Sequence, residues 1–149
     1  MASIVYTSFA RDICMAKFNF EVSPTNDQQR HLMLLSSSYT PNKNHSKRSD
    51  VIAYEVTGTN YIAGGKYITC VLQNVDGTNN DVEITFPTPV IWPQSTITAR
   101  YGVVYHARLQ TPDNPAQDEL VGCVDFLNDV SSSNDTFIAE VSTPLKFQN

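Results

Sequence analysis

The segment from 97 to 109 alternates between apolar and polar positions. Its odd positions are all apolar or aromatic: Ile97, Ala99, Tyr101, Val103, Tyr105, Ala107 and Leu109. A period of two places these side chains on one face of a β-strand, whereas a helix would spread them around its circumference. The opposite face carries the polar side chains Thr98, Arg100, His106 and Arg108. Such a strand would extend roughly 40 Å, so we expect a bend or bulge near Gly102.

Other short alternating or apolar segments also favour strands, and clusters of turn-forming residues separate them. The predicted strands cover 30–35, 51–56, 67–73, 82–86, 120–127 and a stretch from Phe137 to Phe147; the predicted turns include 76–80, 111–115 and 131–135. We expect 67–73 and 82–86 to form one hairpin, and 97–109 and 120–127 to form a second. The prolines at 87, 89 and 93 place 90–92 at a sheet edge or in a crossover.

The first residues favour a helix followed by an extended arm. Val5, Phe9, Ile13 and Ala16 have helical spacing, and Thr7 or Ser8 could cap the first turn. Alternation of apolar and polar residues over 18–22 predicts a strand or extended arm that ends at Ser23-Pro24. Residues 1–24 are therefore a possible N-terminal arm.

Together these patterns predict an all-β protein. A chain of 149 residues with 41% hydrophobic and 17% charged residues is long enough for one packed domain and too short for two ordinary ones. Turns that recur every 8 to 12 residues or so are typical of sandwiches. We expect a single domain over 1–149, an antiparallel β-sandwich or jelly-roll-like core with a short N-terminal helix or arm.

Charge and cysteine content narrow the range of functions. A net charge of −5 makes nucleic acid an unexpected partner. The N-terminal sequence does not resemble an export signal, and no apolar run reaches membrane-spanning length, so we expect no membrane partner. Cys14, Cys70 and Cys123 are widely spaced and odd in number, which favours free thiols in a reducing cytoplasm over disulfides or a zinc site.

The most polar stretch, 36–50, predicts a long surface loop. It contains the basic group Lys43, His45, Lys47 and Arg48, although the whole chain is acidic. Because the local charge is opposite to the global charge, these four residues are candidate docking groups for an acidic partner surface. A solvated loop with incidental charge is an equal alternative.

The residues that could carry catalysis form no recognisable motif. A contact between His106 and Cys123 and a metal site of Cys70, His106 and Cys123 are both conceivable, but neither has the supporting spacing. The acidic residues are scattered, which is typical of solvated surfaces. Tyr54, Tyr61, Tyr67, Tyr101 and Tyr105 could supply a sugar-stacking surface or simply fill strands. We therefore expect no catalytic residue, no cofactor and no metal.

Several longer segments resemble a known family. They are Tyr6-Thr7-Ser8, Ser38-Tyr39-Thr40-Pro41-Asn42, Ser49-Asp50, the run from Glu55 to Gly65 with its Gly-Thr-x-Tyr-x-Ala-Gly-Gly pattern, the run from Trp92 to Tyr105 with Ser-Thr-Ile-Thr-Ala-Arg, Val124-Asp125-Phe126 and Ser131-Ser132-Ser133-Asn134. In this order they resemble small tailed-bacteriophage virion proteins of the capsid cement or decoration type. The chain departs from that pattern in 11–36 and in the proline-rich 87–93.

The resemblance implies a non-enzymatic structural protein with a β-rich core. It implies a homotrimer on the capsid exterior that bridges and stabilises major capsid subunits, after synthesis in the bacterial host cytoplasm. The basic residues of 36–50 would then meet acidic groups on the capsid. Two alternatives remain open at this stage: a tail or neck component, and a carbohydrate-binding module of the adsorption apparatus.

Overall fold

The computed structural model describes residues 2–15, 29–76, 81–108 and 113–147. These residues contain one helix, eight strands and two short 3₁₀ turns at Arg48–Asp50 and Ile52–Tyr54. The helix α1 covers Thr7–Cys14. The strands are β1 (Ala2–Val5), β2 (Gln29–Leu35), β3 (Lys66–Tyr67), β4 (Val71–Asp76), β5 (Asp81–Thr85), β6 (Val90–Ala107), β7 (Glu119–Ala139) and β8 (Leu145–Phe147).

The strands form two antiparallel sheets. The larger sheet has the order β1-β7-β6-β2-β3, and the smaller has the order β4-β5-β8. The predicted all-β fold with a short N-terminal helix is therefore confirmed. Both predicted hairpins are also present, as the β4–β5 and β6–β7 pairs.

Two apolar clusters lie on opposite faces of the larger sheet. The first joins it to the smaller sheet, with Leu32 and Val104 on one side and Ile84 and Leu145 on the other. The second contains Met33, Val103, Tyr105 and Cys123 and is covered by Tyr6, Tyr39 and Val51 from outside the sheet. Because both faces are covered, residues 102–107 are all buried. The predicted polar face of this strand is therefore wrong at His106, which lies inside the protein.

The expected bend lies beside Gly102, and the partner strand supplies the extra residues. Ala99 is opposite Val130 and Tyr101 is opposite Asp125, so β7 has three more residues than β6 between these pairs. Leu127 lies within this bulge and has a φ of 72°. The bulge lets β6 present Ala99 to the first cluster and Val103 to the second.

Several local predictions are wrong. The strands predicted over 67–73 and from Phe137 to Phe147 are each interrupted, because 68–70 and 140–144 lie outside the strands. Residues 51–56 do not form a strand, since Ile52–Tyr54 is a 3₁₀ turn, although Glu55 makes an isolated bridge to Leu35. The serine-rich 131–135 lies inside β7 rather than in a turn, because cross-strand partners at 95–98 pair with it. Neither Thr7 nor Ser8 caps α1, since Tyr6 occupies the N-cap position without a side-chain cap.

The N-terminal residues are tied to the larger sheet. Ile4 pairs with Cys123 as part of the β1–β7 ladder, and Phe9 of α1 is buried. The strand predicted over 18–22 and the helical position Ala16 lie outside the described residues. In the described part of the chain, no helix is both long enough and apolar enough to cross a membrane.

Candidate functional site

The four candidate docking residues have very different surroundings. Lys43 is exposed, and its carbonyl accepts a hydrogen bond from the Thr7 amide (3.0 Å). His45 is half-buried with Nδ1 3.1 Å from the Tyr39 hydroxyl, and Lys47 Nζ donates to Glu119 Oε1 (3.0 Å). Arg48 is only 4% exposed. Of the four, Lys43 alone is placed as a surface cation should be for docking.

Arg48 lies at the centre of a buried polar cluster. Its Nε is 3.0 Å from Asp118 Oδ2, and its Nη2 donates to Asp113 Oδ2. Its Nη1 donates to the Tyr105 hydroxyl (3.1 Å), and the guanidinium carbon lies 5.2 Å from the centre of that ring. Burial raises the pKa of Asp118, although the Arg108 amide and Arg48 oppose that shift. Arg48 therefore joins the 36–50 loop to the β6–β7 connection.

A second set of hydrogen bonds ties the glycine-rich segment to the same place. Glu55 Oε1 accepts from the Gly64 amide (2.6 Å) and the Tyr61 hydroxyl (2.8 Å). The Tyr61 hydroxyl in turn accepts from the Leu34 amide (3.0 Å), and the Tyr105 hydroxyl donates to the Gly64 carbonyl (2.7 Å). Burial raises the pKa of Glu55 against these donors. These bonds fix the loop against β2 and β6.

Backbone geometry explains the glycines at 58 and 65. A Cβ on Gly65 would lie 1.9 Å from the Leu32 carbonyl oxygen, and the residue has a φ of +73°. A Cβ on Gly58 would lie 2.0 Å from the Thr96 carbonyl oxygen. Both positions require close backbone approach, which a larger residue prevents. The glycines that carry the family resemblance are therefore needed to pack this loop.

The cluster borders a cleft of about 340 Å³. Its wall includes His31, Arg48, Gly64, Tyr105 and Asp118. In the wall of the cleft Arg48 is paired with Asp113 and Asp118, and burial lowers the pKa of His31. Among the described residues, Arg48 with its partners Asp113, Asp118 and Tyr105 joins the loops to β6, and we call this set the ion-pair lock.

The residues considered for thiol or metal chemistry are separated. Cys123 lies opposite Val103 on one face of the sheet, whereas His106 points to the other face. Cys70 packs against the first cluster, and all three cysteines are free thiols. Within the described ranges, no three His, Cys, Asp or Glu side chains are grouped so that they could hold a metal ion.

The tyrosines that could have formed a sugar-stacking surface are mostly used inside the fold. Tyr61 and Tyr105 belong to the polar network, and Tyr54 and Tyr101 pack against Tyr39 at ring distances of 5.3 and 5.7 Å. Tyr67 is 40% exposed. These side chains therefore do not assemble into one outward-facing aromatic platform.

The sequence did not predict one exposed surface of the larger sheet. Residues 90–99 of β6 and 130–139 of β7 form a two-stranded ribbon that continues beyond the residues paired with β1 and β2. Ile91 and Ile138 are directly opposite each other and are 44% and 54% exposed. The misread turn at 131–135 concealed the ribbon. Hydroxyl side chains on both strands are the sequence feature that could have predicted the ribbon. The hydroxyls of Thr98 and Ser131 lie within 2.9 Å of each other, as do those of Ser95 and Ser132.

The chain was also compared with known proteins. A scan against protein-family models matched none, and searches of curated proteins and of solved structures gave no significant match.

Proposed function

We propose that this chain is a non-enzymatic structural protein of a tailed-bacteriophage virion, a cement or decoration protein. In this role it is made in the bacterial host cytoplasm and binds the outside of the capsid, where it bridges and stabilises major capsid subunits. The segments that resemble this family suggest the role. The structural observation that supports it is the two-stranded ribbon, whose exposed apolar pair at Ile91 and Ile138 offers a rigid surface on which copies of the chain join into the trimer that the resemblance implies.

The ion-pair lock supports a scaffold role for the polar residues. Arg48, Asp118 and Tyr105 are buried, and each holds one loop or strand against another. A protein that clamps its neighbours gains from rigid loops, because less conformational entropy is lost on binding. Four basic residues were predicted to dock. Apart from Lys43, their side chains make contacts within the chain.

Lys43 is the residue we propose for electrostatic contact with the capsid. It is exposed, and it lies in the loop beside Thr7 rather than in the ion-pair lock. A rim cation of this kind steers association and loses its effect as salt increases. Substitution of Lys47 or Arg48 would instead disturb buried carboxylates.

The role is tested with undecorated capsids of the phage that encodes the chain. Purified protein is mixed with capsids, and bound copies are counted after sedimentation and located by electron cryomicroscopy. We expect saturable binding in many symmetry-related copies on the outer surface, and capsids that resist heat better when decorated. Absence of binding, or a location in the tail or neck only, would contradict the proposal.

Two variants with the same change in net charge separate docking from general electrostatics. Lys43→Ala removes one positive charge from the loop, and Ser142→Asp adds one negative charge at an exposed site between β7 and β8, outside the ribbon. We expect Lys43→Ala to weaken capsid binding several-fold at low salt and to reduce its salt dependence, with a smaller effect from Ser142→Asp. Equal behaviour of the two variants would remove Lys43 from the interface while leaving the cement role intact.

A further inference from the structure

The outer edge of β7 is an open strand edge among the described residues. β1 (Ala2–Val5) pairs with Asp125 to Gly122 of β7, and no described strand continues that pairing along 126–139. Alternate residues of a strand direct their N–H and C=O groups to opposite sides, so about half of the backbone groups along this stretch face away from β6. Residues 126–139 contain no proline or lysine, the residues that commonly block such edges.

An apolar groove runs along the same edge. It has a volume of about 210 Å³ and is lined by Phe126, Val130, Phe137, Ile138, Ala139 and Glu140. Val130 and Ile138 are 40% and 54% exposed. A strand that paired with β7 would therefore find apolar contacts for its side chains as well as backbone partners.

The charge along the edge has one sign. Residues 126–145 include Asp129, Asp135 and Glu140 but no Lys or Arg, and these three acidic residues are exposed. The Asp135 carboxylate accepts a hydrogen bond from the Thr136 amide (2.6 Å), so a side chain of β7 itself occupies that amide. An incoming carbonyl could replace the carboxylate on this amide, and a cation on the incoming strand could take the released carboxylate.

We propose that the β7 edge binds an extended segment of a partner protein in which Lys or Arg alternates with apolar residues. The segment adds to the larger sheet as a further strand beside 129–139, with its apolar side chains in the groove and its cations beside Asp129 and Asp135. A second copy of this chain is a poorer occupant, because two acidic edges would face each other. The inference deepens the proposed virion role by naming the chemistry of a partner segment, but its test does not depend on a capsid.

Binding is measured with three labelled peptides of eight residues. One alternates Lys and Val, one alternates Glu and Val, and the third is the Lys-Val peptide with two central residues replaced by proline. We expect saturable binding of the Lys-Val peptide, at least tenfold weaker binding of the other two, and weakening with added salt. Equal binding of the Lys-Val and Glu-Val peptides, or of the Lys-Val and proline peptides, would overturn the proposal.

Variants of the chain locate the site. Thr136→Pro removes the amide that the Asp135 carboxylate accepts from, and Thr136→Ala keeps it and serves as the matched control. We expect Thr136→Pro to weaken Lys-Val binding at least tenfold and Thr136→Ala to leave it unchanged. Equal binding by these two variants, when both have wild-type circular dichroism, would contradict the assignment.

If Thr136→Pro does not fold, a variant with reversed edge charge tests the same binding site. Asp129→Lys with Asp135→Lys keeps every amide and reverses the edge charge, so it should abolish Lys-Val binding and permit Glu-Val binding. An unchanged preference for the Lys-Val peptide over the Glu-Val peptide would overturn the proposal.

Peptide binding without capsid binding would refute the virion role alone, and capsid binding without peptide binding would refute the edge site alone. Concentration-dependent dimers that Thr136→Pro abolishes would identify a second copy as the occupant instead.

Discussion

The position of Arg48 shows why single charged residues are hard to assign from sequence. Its partners Tyr105, Asp113 and Asp118 are more than fifty residues away in the chain, and they meet it only because β6 and β7 turn back beside the loop. A basic residue in a polar stretch therefore suggested docking, whereas the fold uses this guanidinium to neutralise a buried carboxylate. Lys43, in the same stretch, remains on the surface. Local composition does not distinguish the two cases.

His106 gives a prediction at the same scale. It is buried beside Arg108, and burial together with that cation lowers its pKa from 6.5 to about 4. The unfolded chain binds the proton more readily between these values, so the histidine makes stability fall as the pH decreases from about 6.5 to 4. The full effect is on the order of 3 kcal/mol.

Denaturant unfolding of wild type and His106→Gln at pH 7, 6, 5 and 4 measures this contribution. The free-energy difference between them should shrink or reverse in favour of the variant as the pH falls. The comparison isolates the histidine from Glu55 and Asp118, whose pKa values burial raises and which act in the opposite direction. A difference that stays constant from pH 7 to 4 would show that His106 does not titrate as its surroundings require.

At the scale of elements, the sequence pattern predicted the strands whose side chains pack against another layer. It failed where the backbone is irregular. Alternation located β5 and β6, and short apolar runs between turn-forming clusters located β2 and the first part of β7, because these strands bury side chains against another layer. It missed the course of β7 through Ser131–Asp135, since serines favour turns but here bond across the ribbon to Ser95 and Thr98. It also missed the burial of both faces at 102–107, which depends on the loop that covers the outer face.

A buried and an exposed position of β6 can be compared by placing the same charge at each. Val103→Asp puts a carboxylate into the second apolar cluster, where Val103 is fully buried, and Thr98→Asp puts one on the exposed ribbon. An unpaired buried charge costs several kcal/mol, comparable to the total stability of a small domain of roughly 5 to 15 kcal/mol. We expect Val103→Asp to be largely unfolded by circular dichroism and Thr98→Asp to melt within a few degrees of wild type. Equal melting of the two would contradict the described packing.

At the scale of the whole molecule, sequence patterns predicted the fold class better than they predicted which surfaces are exposed. Alternation and turn spacing are properties of neighbouring residues, and they were sufficient to predict an all-β fold with a short helix. The candidate site depends on contacts between distant segments, such as Glu55 with Gly64 and Tyr105 with Gly64, which only the completed fold brings together. The open edge of β7 likewise depends on β1 being short, and no local pattern predicts where a neighbouring strand stops.

The homotrimer stays a proposal that the resemblance suggests. Around residues 102–107 the same chain covers both faces of the larger sheet, so this part of the sheet does not supply the interface. The exposed pair of Ile91 and Ile138 on the ribbon is the surface we propose for contact between copies. A closed three-fold ring would bury this pair in every copy and suit local three-fold positions of a capsid.

Sedimentation equilibrium of the purified chain tests this assembly. A trimer of the 16.6 kDa chain should sediment at about 50 kDa across the micromolar range. Ile91→Glu should shift the protein toward the monomer mass, because it places like charges at the interface, while Thr98→Glu, an exposed position on the same strand, should leave the mass unchanged. Ile91 does not line the β7 groove but its partner Ile138 does, so a trimer that buries the pair competes with strand addition for Ile138. The Ile91→Glu variant should therefore lose the trimer and still bind the Lys-Val peptide. A wild-type chain that stays monomeric at high micromolar concentration would contradict the trimer, and a trimer unaffected by Ile91→Glu would place its interface on another surface.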